Sequence, residues 1–130
     1  MKPILIPVSV GELIDKITIL EIKSQLIKDT NKLVNIRFEL DKLLFILIDL
    51  KLGEIVKELQ FDLFQVNRKL WDIENFKRSC EANQNFGSEF VEAARQVYKL
   101  NDQRAALKKQ INELTGSVIK EEKLHTINEN

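Results

Sequence analysis

Residues 97–112, VYKLNDQRAALKKQIN, hold an apolar helical pattern interrupted by one cation. Alternate steps of three and four from Phe90 meet Ala93, Val97, Leu100, Arg104, Leu107, Ile111, Leu114 and Val118. That is the apolar seam of a long packed helix, with one cation set into it. Arg104 cannot give up its charge, so burial there demands a carboxylate from elsewhere in the chain or a bound anion.

Upstream, Val56, Leu59, Leu63, Val66, Leu70 and Ile73 keep the same spacing, and Lys77 and Cys80 continue it more weakly. Asn83, Asn85 and Gly87 end this second seam, and Ser88 is placed to cap the helix that follows. Two helices of roughly 28–32 residues, about 42–48 Å each, therefore fold back on one another as an antiparallel hairpin over 54–115. With its turn near Gly87, residues facing each other have numbers adding to about 174. Arg104 then stands level with Leu70, Asn101 with Ile73, and Lys108 with Val66.

The first half predicts a shorter hairpin over 9–52. Met1 to Val8 is punctuated by Pro3 and Pro7 and reads as an extended arm, either a short strand or a segment lying against the bundle. Ser9 and Glu12 form a capping box, in which the hydroxyl takes the N–H three residues on and the carboxylate reaches back. Leu13, Ile17, Leu20 and Ile27 then make a stripe that Ile14, Ile19, Ile22 and Leu26 widen, so this helix should be covered on more than one side. Asp29-Thr30-Asn31 breaks the chain and supplies the next N-cap. The second helix runs through Leu33, Ile36, Leu40, Leu44 and Leu47, and residues 43–48 are apolar all round. One neighbour cannot cover such a run, which belongs at the centre of the bundle or, as favoured here, at the interface of a homodimer. Gly53 ends it as a turn or a kink. The expectation is an all-α, four-helix bundle in one domain, 1–130, with a polar tail over 117–130 that includes a short helix around Lys120–Lys123.

Twenty Lys and Arg balance twenty Asp and Glu, which argues against nucleic-acid binding, where unopposed cations must replace counterions on phosphates. Cys80 stands alone, so neither a disulfide framework nor a thiolate metal site is proposed; it reads as a small apolar residue in a reducing compartment. No cofactor or metal motif is present, and His125, the single histidine, falls in the polar tail and reads as solvated. No signal peptide and no membrane span is expected, hence a cytoplasmic protein.

Chemistry concentrates at one level of the long hairpin. Asn67, Trp71, Glu74 and Arg78, spaced four, three and four, lie on one side of the seam and face Asn101, Arg104 and Lys108. In the structural reading Glu74 neutralises Arg104 and fixes the hairpin register. In the ligand reading Arg104 and Lys108 donate to a small anion, Trp71 forms a flat wall, and the first helix closes the pocket through some of Asp15, Lys16, Thr18, Glu21 and Lys23. The acidic neighbours Glu12 with Asp15, and Glu121 with Glu122, read as solvated surface. Phe76, Phe86 and Phe90 at the hairpin tip should pack together or meet a protein partner.

PVSVGELIDKITILEIK at 7–23, LWDIE at 70–74, VYKLNDQRAALKKQIN at 97–112 and VIKEEK at 118–123 resemble the signature blocks of an uncharacterised family from bacteria and their phages, a domain of unknown function. The resemblance implies that Asp15, Lys16, Thr18, Glu21, Lys23, Trp71, Glu74, Asn101, Asp102, Arg104, Lys108 and Asn112 belong to the family pattern, and it assigns no activity. Some members appear attached to or near proteins of surface-polysaccharide synthesis. The run at 43–48 and the phenylalanine tip point to a non-enzymatic binding or assembly module, which that neighbourhood would make accessory to cell-envelope glycan metabolism. Helical chorismate mutases are a weaker likeness: they bind a dicarboxylate between helices, and their first helix also carries an Ile-Asp pair, here Ile14-Asp15. The arginines they place on that helix are absent, so the alternative of a small-anion enzyme or binding protein rests on analogy.

Overall fold

Each helix begins or ends where the chain supplies partners for unpaired backbone groups. The computed structural model describes residues 1–124, so the expectation for His125 lies outside the described residues. Four helices follow in order: α1 Val10–Leu26, α2 Thr30–Leu50, α3 Gly53–Ala82 and α4 Ser88–Thr115. The Ser9 hydroxyl accepts from the Glu12 amide at 3.0 Å, and the Asp29 carboxylate accepts from Asn31 and Lys32 at 2.9 and 3.1 Å, opening α1 and α2. α2 closes on Lys51 in the left-handed conformation, φ 57°, and Leu52 separates it from α3, so Gly53 begins a helix instead of ending one. The hairpin turn uses Gln84 at φ 51° and an Asn85 amide bonded to the Cys80 carbonyl at 2.8 Å. Ser88, expected as a cap, is the first residue of α4, and Gly87 holds the cap position. Gly116 ends α4 at φ 67°, a conformation that glycine adopts without steric cost.

α3 and α4 form the long hairpin, sealed by Val66, Leu70 and Leu100. α1 is covered by all three other helices, which is why its apolar residues appear on every face. Leu13, Ile14 and Ile17 from α1 meet Leu47, Val56, Leu63 and Ile111 in the main core. α1 runs antiparallel to α4: Gly11, Glu12 and Asp15 contact Asn112, Lys108 and Arg104 in turn. The approach is close at Gly11, where a Cβ would fall 2.6 Å from the Lys108 carbonyl oxygen.

Two sequence expectations are corrected, for the tail helix and the end of the α4 seam, and two alternatives left open are decided. Ile4, Leu5 and Ile6 in the arm are exposed and form no strand, because no sheet edge exists among the described residues to pair with them. Residues 117–124 form no helix; after Gly116 the chain is instead pinned by side-chain bonds. The α4 seam stops at Ile111, and Leu114 and Val118 are exposed because the helix ends at Thr115. Only Leu47 of the run 43–48 is buried, so α2 lies along α1 at the outside of the bundle and not at its centre. At the hairpin tip Phe86 and Phe90 meet edge to face at 5.3 Å, while Phe76 stays exposed and apart from the pair.

Candidate functional site

The seating of α1 on α3 and α4 brings its polar residues against the hairpin. Asp15 is 1% exposed and accepts two bonds from Arg104, Nε to Oδ1 at 2.9 Å and Nη2 to Oδ2 at 2.5 Å. Asn67 Nδ2 donates to Asp15 Oδ1 and to Thr18 Oγ1, each at 2.9 Å, and the Thr18 hydroxyl donates to the Asp15 carbonyl at 2.8 Å. The side chain of Arg104 remains 31% exposed. The bonds to Asp15 push its pKa above the ordinary arginine range, against the opposing effect of partial burial.

Asp15, not Glu74, is therefore the counterion of Arg104. Glu74 sits farther along α3, half exposed, with Lys77 Nζ at 3.6 Å. Nothing in the spacing of Glu12, Asp15 and Lys16 distinguishes them from a solvated face; coverage of α1 by three helices turns Asp15 inward. Glu12 is likewise engaged, by Lys108 Nζ at 2.6 Å, and so does not complete the expected capping box.

The N-terminus of α1 is closed instead by residues a hundred positions away. The Val10 amide donates to Ser117 Oγ at 3.2 Å and the Gly11 amide to Asn112 Oδ1 at 2.6 Å. Glu121 Oε1 accepts from the Ser9 hydroxyl at 2.8 Å and from Asn112 Nδ2 at 3.3 Å. Slight burial works to raise the Glu121 pKa, but these two bonds, its own backbone and Lys108 together hold it below the usual glutamate value. Ser117 and Glu121 carried no signal of this role, since the tail looked like solvated surface. Every buried side-chain nitrogen and oxygen among the described residues has a partner, so the polar layer is closed.

Beside that layer lies a groove of about 510 Å³ between α1 and α3. Asn67, Trp71, Glu74 and Arg78 all line it, together with Arg104, so the stripe expected on one side of the seam does share a surface. The other candidates are elsewhere. Lys108 faces a small cavity with Glu121 and Glu122, exposed Lys16 lines a second depression that Arg104 and Asp15 share with Lys23 and Glu39, and Asn101 lines none of these. A larger groove of about 860 Å³, lined by Glu21, Lys57, Gln60 and Phe61 among others, lies where α1 meets the first half of α3. Partial burial raises the Glu21 pKa there, and a bond with Gln60 offsets part of the rise.

A further surface is mostly apolar, with the exposed Asp41 set into it. Val34, Phe38, Phe45 and Ile48 of α2 are 67%, 63%, 70% and 73% exposed. Their spacing puts them within an arc of about 80° on one helix face. Lys42 Nζ lies 5.3 Å from the centre of the Phe38 ring. No cluster of His, Cys, Asp or Glu among the described residues could hold a metal ion, and none of the described helices is long and apolar enough to cross a membrane.

The model of a family of unknown function, DUF6165, matches residues 4–128. No curated protein and no solved structure matches the chain.

Proposed function

We propose that this chain, a member of the DUF6165 family of unknown function, works as a homodimeric helical binding and assembly module, with α2 as the face on which two copies meet. The observation that carries the reading is the apolar stripe on α2, a helix that lies along α1 and presents its outer side to solvent.

The stripe is complementary to itself. In an antiparallel pairing of two α2 helices whose facing numbers add to about 83, Phe38 meets the partner's Phe45 and Val34 falls next to the partner's Ile48. The same register sets Asp41 against the partner's Lys42, so the charged pair beside the symmetry axis is satisfied twice. Exposed area on these four side chains would bury on the order of 1,000 Å² over both copies, at the lower bound for a specific interface. A dimer in the micromolar range is consistent with that area.

Sedimentation equilibrium tests the proposal. The expected wild-type species has twice the 15.1 kDa mass of the chain at about 100 μM, and Phe38→Ser with Phe45→Ser yields a monomer of unchanged helicity. A monomeric wild type, or a dimer that survives both substitutions, overturns it.

A further inference from the structure

We infer that the groove between α1 and α3 binds a small organic anion, its phosphate or carboxylate head held by Arg104 and Arg78 and its ring-shaped body stacked on Trp71. This inference is independent of the dimer.

Arginine has five N–H donors, and Asp15 takes one on Nε and one on Nη2. The two on Nη1 and the second on Nη2 are not used by any described bond, and Arg104 lines the groove. Asp15, itself locked by Asn67 and buried, fixes the orientation of that fork before any ligand arrives. A pre-aimed guanidinium loses little entropy on binding and matches the two oxygens of a carboxylate or phosphate. Its attachment to Asp15 does not cancel this role, because the oxygens of Asp15 lie on the Nε side and an oxyanion approaches the Nη1 side.

Arg78 lines the same groove, seven residues or two turns beyond Trp71, and forms no ion pair among the described residues. Glu74 opposes an anion, but Lys77 lies against its carboxylate, so Arg78 supplies the surplus positive charge. Trp71 offers a half-buried indole in the groove that both arginines line, and Ile19, Ile22 and Leu70 add apolar surface to it. A volume of about 510 Å³ suits one ring with its anionic substituent.

Trp71 is the single tryptophan of the chain, so its emission reports this groove alone. The probes are phenyl phosphate, benzoate, glucose 6-phosphate and glucuronate, with phenol and glucose as uncharged controls. The expected result is a saturable change in Trp71 emission with at least one anionic probe below about 10 mM, and none with its uncharged control. The phosphate and carboxylate arms then separate the two kinds of head. Arg78→Gln, at an exposed position, should weaken that binding about tenfold with an unchanged melting temperature, as expected for one charge-assisted contact. Arg104→Lys keeps a cation against Asp15 but removes the fork, and should weaken it at least as much. No saturable change with any anionic probe, equal response to the uncharged controls, or affinity unaffected by both substitutions overturns the inference.

Discussion

Replacing Asp15 with alanine would remove the acceptor of two bonds from Arg104 and one from Asn67. Taking away one partner of a buried ion pair costs about 3–5 kcal/mol, since the other charge stays where water reaches it poorly. Arg104 is 31% exposed and can be partly rehydrated, which puts the cost near the low end, about 3 kcal/mol. For a chain of this size 1 kcal/mol moves the midpoint by roughly 3–5 °C, so Asp15→Ala should lower Tm by roughly 9–15 °C. The double variant Asp15→Ala with Arg104→Met removes the stranded charge and fills the seam with an aliphatic chain. It should recover most of the loss, because exchanging a buried pair for apolar groups is often neutral. Chemical denaturation of the wild type, both single variants and the double closes the cycle, and a coupling energy of about 2 kcal/mol is expected. A single-variant cost below about 1 kcal/mol, or a double variant as unstable as the sum of the singles, would refute the view that this pair seats α1 on the hairpin.

Gly11→Ala should destabilise by about 1–3 kcal/mol in urea unfolding, because its methyl group would meet the Lys108 carbonyl and α1 would have to lift. Lys51→Gly should stabilise by about 0.5–1 kcal/mol in the same assay, since glycine relieves the left-handed strain at φ 57° at a smaller cost in chain entropy. The folded pKa of Glu121 lies below its usual value of 4.5, so its contribution is present above that value and is lost as the pH falls through the folded pKa. Carbon NMR titration of Glu121 should give a midpoint below 4.5 that rises in Ser9→Ala; a midpoint at or above 4.5 in the wild type would contradict the bond.

What could be read from the chain was what repeats locally. The three-four seams at 56–73 and 90–111 gave α3 and α4, and the facing-number estimate set Arg104 level with Leu70, with which it lines one groove. The stripe Asn67, Trp71, Glu74 and Arg78 was legible for the same reason. The partner of Arg104 was not. Asp15 lies on a helix whose apolar residues occupy every face, so periodicity holds no direction for it, and only the seating of α1 decides. The closure of α1 by Asn112, Ser117 and Glu121 was hidden likewise, since a side chain that caps a distant helix leaves no local mark.

That closure joins residues 101 to 112 positions apart. A ribosome adding about 5–20 residues per second would need roughly 5–20 s between the synthesis of Val10 and that of Ser117. Through that interval α1, the helix on which the others pack, would hold Ile14, Ile17 and Ile22 without the cover that α4 supplies. The nascent chain would spend most of its synthesis as an unfinished hairpin, and the step that completes the domain would be one of its last.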